Sequence, residues 1–122
     1  MINSKYKDFD KDKKEGFSLS VFISVNTVEK NKDGHPTAKE AIEFSRLENE
    51  ILKRTGPLSP CYIGHTTMNG YRDVIFYIKP NDQQKFNSII TEIRKRNSRV
   101  KSYVFENDPK WEAVSEFYEA LK

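Results

Sequence analysis

The sequence has few of the residues that build reactive or covalently cross-linked sites. Its one cysteine, Cys61, excludes an intrachain disulfide and is typical of a protein in a reducing compartment. Two histidines and five scattered glycines form neither a zinc-ligand set nor a glycine-rich phosphate loop. No apolar run approaches the roughly 18 residues of a membrane-spanning helix, and no apolar stretch resembling a secretory signal opens the chain. We therefore expect a cytoplasmic protein with no catalytic, cofactor or metal site and no membrane contact.

The sequence contains enough apolar residues to form the core of one folded domain. The chain has 122 residues and a net charge of +3. Leu, Ile, Val and Phe make up about 25% of it, above the roughly 20% below which chains tend to stay disordered. Residues 1–15 alternate Lys and Asp without apolar periodicity, which predicts a flexible charged tail. Residues 16–122 are predicted to form a single domain.

Periodic patterns predict a strand, a helix, a hairpin, a second helix, another strand and a last helix. Residues 17–25 alternate apolar and mostly serine side chains, which is typical of a strand with one buried face. Thr37, followed by Glu40 three residues later, predicts a capped start for the first helix, which Gly56 ends. A second helical stripe precedes Asn97, and residues 100–105 form the last predicted strand.

The central hairpin is the clearest local signal. Asn69-Gly70 accepts the positive backbone angles of a tight turn between residues 61–68 and 71–78. A two-residue turn predicts that Met68 faces Tyr71, Ile63 faces Phe76 and Tyr62 faces Tyr77. The predicted core face carries Cys61, Ile63, His65, Val74, Phe76 and Ile78. The predicted opposite face carries Tyr62, Gly64, Thr66, Asp73, Ile75 and Tyr77.

This order of elements predicts an α+β fold. The β-α-β-β-α-β pattern is typical of the ferredoxin-like sandwich, in which two helices cover one face of a four-stranded antiparallel sheet. A C-terminal helix, predicted to begin at Asp108-Pro109, carries an apolar stripe. The other sheet face needs a cover, and either this helix or a partner would satisfy that need.

Several short motifs in the second half resemble domain-of-unknown-function family 695, a group of uncharacterised bacterial proteins. They are Tyr62-Ile63-Gly64, Gly70-Tyr71-Arg72-Asp73, Phe76-Tyr77 and Glu106-x-Asp108-Pro109-x-Trp111. The resemblance implies a fold similar to that of the regulator of ribonuclease E activity B, which acts by binding another protein. It implies no catalytic activity, so no catalytic role is carried over to any residue.

The favoured interpretation is therefore a non-enzymatic cytosolic protein that binds and regulates another protein, or a second copy of itself. The predicted contact surface is the tyrosine face of the hairpin, formed by Tyr62, Ile75 and Tyr77, if the last helix leaves it open.

Two alternatives remain open at this point. The first is an RNA-binding module that stacks bases on the same face, although we expect nucleic acid less than protein. Five cations would then contact phosphates, namely Arg94, Lys95, Arg96, Arg99 and Lys101. The second alternative is a small-ligand protein or enzyme with a pocket near Arg72 or Asp73.

Overall fold

The computed structural model describes residues 2–6, 9–26, 38–68 and 71–119. Within them, four antiparallel strands form one sheet in the order β2-β3-β1-β4. This order places the first and third strands at the centre, as in the ferredoxin-like fold, and confirms the predicted fold class. The strands are β1 (Leu19–Asn26), β2 (Cys61–Met68), β3 (Tyr71–Ile78) and β4 (Val100–Asn107).

Two long helices cover one face of this sheet. The described helices are α1 (Lys11–Gly16), α2 (Ala38–Thr55), α3 (Gln83–Arg96) and α4 (Ser115–Glu119). α2 and α3 bury apolar stripes, exemplified by Phe44 and Ile90, against the alternating apolar residues of β1 and β3. The predicted cap Thr37 and the turn Asn69-Gly70 lie outside the described residues.

The predicted register of the hairpin holds near the turn and is wrong at its far end. Met68 faces Tyr71 as expected, but Tyr62 faces Phe76 and Cys61 faces Tyr77. The register shifts between Tyr62 and Gly64, where the backbone of Gly64 takes a φ of 137°. A bulge adds one residue to a strand and reverses the faces beyond it, so Cys61 and Ile63 join Ile75 while Tyr62 joins the helix-covered face.

The second sheet face has its own apolar cluster, built from both ends of the chain. Cys61, Ile63, Ile75 and Tyr77 contribute from the sheet, and Tyr6, Trp111 and Val114 cover them. Ile2 and Phe9 pack against the same cluster. Residues 1–15 were predicted to form a flexible tail; in their described part, Tyr6 is buried and Ile2 and Phe9 are partly buried against the sheet.

The C-terminal segment covers part of this face, which the sequence had left to either this segment or a partner, and its helix is shorter than expected. Residues 109–110 form a turn, Trp111 has a left-handed backbone with a φ of 57°, and helical structure begins only at Glu112. This left-handed residue interrupts the helix that was predicted to start at Pro109. No helix among the described residues is long and apolar enough to cross a bilayer.

Candidate protein-binding surface

The three residues predicted to contact a partner do not form an open surface. Ile75 and Tyr77 are both 0% exposed, because the terminal segments cover them. Tyr62 lies on the other face, where its ring packs against Phe76 with 5.4 Å between centroids. The contact surface was predicted on the condition that this face is open, and the condition is not met. The base-stacking platform needed the same two tyrosines on one face, and they lie on opposite faces.

Tyr77 is held in place by the C-terminal segment. The indole of Trp111 stacks on its ring, and its hydroxyl donates a hydrogen bond of 2.6 Å to Oδ2 of Asp108. Asp108 also accepts from the backbone amides of Glu112 and Ala113 at 2.9 and 3.0 Å, and thereby caps the last helical segment. Burial raises the pKa of the Tyr77 hydroxyl, and its bond to Asp108 raises it further.

The half of the second face formed by β1 and β4 remains open. Phe22 and Val104 face each other across these strands and, together with Glu106 and Ala113, line a depression of about 260 Å³. We call these four residues the Val104 surface. Its walls are mostly apolar, and Glu106 places one carboxylate at its edge.

Among the described residues, Val104 is one of two large apolar side chains that are at least half exposed. It is 50% exposed, and Ile42, on α2 at the other side of the molecule, is 55% exposed. Val104 borders a depression with a second apolar wall, whereas none of the described depressions includes Ile42. An exposed apolar group beside an apolar depression is typical of a protein contact site, and an isolated one is common on any surface.

A second arrangement of interest surrounds the buried carboxylate of Glu48 on α2. The Tyr62 hydroxyl donates a hydrogen bond to it, His65 Nδ1 lies 2.9 Å from Oε2, and Arg72 Nη1 lies 3.3 Å from Oε1. The Arg72 guanidinium also lies over the Phe44 ring, 4.9 Å from its centroid. These contacts fix α2 to the sheet, and the outer side of the cluster opens into a depression of about 300 Å³.

The basic segment stays at the surface, but part of its charge is already compensated. Arg96 pairs with Glu92 at 2.9 Å, and Arg99 pairs with the fully buried Glu40 at 2.7 Å. Arg94, Lys95 and Lys101 are exposed. Three exposed cations without a stacking platform are a weak basis for RNA recognition, because single-stranded RNA is bound largely by base stacking.

The reactive side chains do not converge in the described part of the chain. The bulge in β2 places Cys61 on the second face and His65 on the helix-covered face, so they cannot act together. Burial raises the pKa of the Cys61 thiol to about 11, which disfavours the nucleophilic thiolate. No group of three His, Cys, Asp or Glu side chains in the described ranges could hold a metal ion.

A comparison with protein families matches residues 1–118 to a family of unknown function, DUF695. The chain belongs to this family. No curated protein and no solved structure matches the chain. The DUF695 match extends over both sequence halves, including the N-terminal segment that packs on the second sheet face.

Five residues of the motifs that carried the DUF695 resemblance lie in two clusters of the fold. Tyr62 and Arg72 converge on Glu48, while Tyr77, Asp108 and Trp111 join the C-terminal segment to the sheet. Asp73 accepts a hydrogen bond of 2.8 Å from Ser24, as expected for a polar group within the sheet. Each of these side chains therefore has a structural partner.

Sequence reasoning missed Glu48 and Val104. Glu48 lies on the buried stripe of α2, four residues after Phe44 and three before Ile51, so its helical position was the available signal for its burial. Val104 follows the alternation of β4 on the same face as Ser102 and Glu106, so its face could be inferred. Its exposure could not, because that depends on how much of the sheet the terminal segments cover.

Proposed function

We propose that the protein is a non-enzymatic binding module that holds a protein partner against the Val104 surface. The observation that supports this most is the half-exposed Val104 beside an apolar depression, on the half of the second sheet face that the terminal segments leave uncovered. The absence of any converging nucleophile and base among the described residues favours binding over catalysis.

The composition of the surface indicates the chemistry of the partner. Phe22 and Ala113 provide apolar walls that fit an apolar side chain, and Glu106 at the edge favours a neighbouring Lys or Arg on the partner. Burying the exposed half of Val104 contributes about 1 kcal/mol. This is too little for a stable complex, so binding also requires contacts beyond the depression.

Affinity purification from the native host tests this proposal. We expect the tagged wild-type protein to retain a partner that Val104→Asp loses, because a carboxylate cannot enter an apolar depression without losing its hydration. Ile42→Asp is the matched control, since it places the same charge at an equally exposed apolar position elsewhere. Equal retention by both variants would contradict the proposal.

A second candidate function is the binding of a small molecule in the depression beside Glu48. Its lining includes Leu52, the rings of Tyr62 and His65, and the polar side chains of Ser45 and Asn49. Because Arg72 already compensates the charge of Glu48, a small neutral ring compound fits better than a cation. Ligand-observed NMR with a library of neutral heteroaromatic compounds tests it, and Leu52→Glu should abolish any binding found.

A further inference from the structure

We infer that the partner at the Val104 surface is a second copy of this chain, paired antiparallel along β4. This inference rests on the proposed function and names its partner. Three observations support it. One edge of the sheet is covered and the other is not, the side chains of β4 complement one another in an antiparallel pair, and the two ends of β4 carry opposite charges.

The two edges of the sheet differ. At the β2 edge, Ile2 forms a bridge with Gly64, and the backbone amide of Asn3 donates to the Ile63 carbonyl at 2.6 Å. The Asn3 side chain also donates to the Tyr62 carbonyl at 3.1 Å. At the β4 edge, none of the described residues forms a further strand. An uncovered edge presents unpaired backbone donors and acceptors that another strand can bind.

Val104 lies in the middle of the part of β4 that pairs regularly with β1. The register with β1 shifts between Ser24 and Val25, which leaves Lys101 as an extra residue in β4. A bulge of this kind interrupts regular pairing, so the regular part of the strand comprises residues 102–107. Val104 is one of the two middle residues of this segment, and its side chain is half exposed.

Antiparallel pairing about Val104 gives complementary side chains. A two-fold axis at Val104 places it opposite its own copy, so the two exposed side chains cover each other. On the helix-covered side, Tyr103 of each copy lies opposite Phe105 of the other, and aromatic pairs across strands are stabilising. Ser102 lies opposite Glu106, so no like charges face each other.

The charges at the strand ends favour the same orientation. β4 carries the exposed Lys101 near its start and the exposed Glu106 near its end. Antiparallel pairing brings the basic start of each strand beside the acidic end of the other, whereas parallel pairing would bring like charges together. The interface would also extend across the two neighbouring depressions, which supplies the contacts that Val104 alone lacks.

Sedimentation equilibrium of the purified chain tests the inference, at concentrations from about 1 µM to about 1 mM, where interfaces of modest affinity associate. We expect a monomer–dimer equilibrium whose dissociation constant rises at least about tenfold in Val104→Asp, because two carboxylates then meet at the axis. Ile42→Asp should dissociate like the wild type. A dimer whose dissociation constant is unchanged by Val104→Asp would overturn the inference.

A cysteine at the axis tests the geometry independently of charge. In a Cys61→Ala background, Val104→Cys should form a covalent dimer on mild oxidation, since residues directly opposite in an antiparallel pair lie within disulfide range. Ile42→Cys in the same background should not. Equal cross-linking of the two variants would overturn the inference.

The strand orientation is tested by exchanging charges. Lys101→Glu and Glu106→Lys should each weaken the dimer, and the double variant should restore it. Failure of the double variant to restore association would overturn the antiparallel arrangement.

A strictly monomeric chain that still captures a different protein through Val104 would overturn self-pairing and leave the proposed function intact. A monomer without Val104-dependent capture would contradict both.

Discussion

The indole of Trp111 stacks on the ring of Tyr77, with 4.4 Å between the centroids and 20° between the planes. Trp111 Nε1 also donates a hydrogen bond of 2.9 Å to the backbone carbonyl of Phe17, which precedes β1. One side chain therefore fixes the C-terminal segment to both β3 and the entry of β1. The same segment lines one side of the Val104 surface through Ala113 and leaves Val104 half exposed.

Replacing Trp111 with Ala should destabilise the fold by about 3–5 kcal/mol, the usual cost of removing a large buried aromatic side chain. Trp111→Phe keeps much of the stacked ring but loses the bond to Phe17, so we expect a smaller loss. Urea unfolding followed by circular dichroism measures both. A loss below about 1 kcal/mol for Trp111→Ala would show that the C-terminal segment is not anchored through this residue.

Asp108 should make the stability depend on pH. Burial alone would raise its pKa, but hydrogen bonds from Tyr77 and the amides of Ala113 and Glu112 hold it below the ordinary value. A carboxyl with a lowered folded pKa contributes stability above its unfolded pKa of about 3.9, and this contribution is lost as the pH falls further.

We therefore expect the difference in unfolding free energy between wild type and Asp108→Asn to be greatest near neutral pH and to shrink below about pH 4. Tyr77→Phe removes one of the bonds that lower the pKa of Asp108, so its stability should fall less steeply with acid. Urea titrations between about pH 3 and pH 7 measure this. A difference that does not change with pH would contradict the assigned contacts.

Gly64 should tolerate no side chain. Its φ of 137° lies where residues with a Cβ are strained, and we expect Gly64→Ala to cost about 1–3 kcal/mol. Gly56→Ala is the control, because its added Cβ would meet no atom within 4 Å and its backbone needs no positive φ. Urea unfolding of both variants tests this, and equal stabilities would contradict the bulge at Gly64.

The Cys61 thiol reports on the packing of the N-terminal segment. It is 4% exposed, and burial raises its pKa to about 11. Tyr6 covers the same cluster, so Tyr6→Ala should expose the thiol and increase the rate of reaction with Ellman's reagent at pH 8 at least about tenfold, although it also removes a hydrogen bond that lowers the pKa of the thiol. Lys11→Ala, at an exposed position in the same segment, should leave the rate unchanged. A rate unaffected by Tyr6→Ala would show that the segment does not cover Cys61.

The sequence predicted the sheet well because periodic patterns report local structure. The predicted ranges of β2 and β3 match the observed Cys61–Met68 and Tyr71–Ile78. The faces of β2 were wrong beyond Gly64, because one extra residue reverses every side chain after it. A glycine inside a strand was the available signal, since it often marks a bulge.

The binding surface was less accessible to sequence reasoning. Ile2, Tyr6 and Phe9 lie among charged residues without a strand or helix pattern, and their burial comes from contacts with a distant sheet. Because these contacts decide which half of the second face is covered, they also decide that Tyr77 is buried and Val104 is exposed. Such an outcome depends on tertiary packing rather than on local periodicity.

Site-specific photo-cross-linking in the native host shows directly whether a protein partner lies against the Val104 surface. A benzoylphenylalanine at position 104 should form a specific protein adduct, whose mass shows whether the partner is a second copy, while the same group at position 42 should form none. Adducts of equal yield at both positions, or none at position 104, would contradict the account.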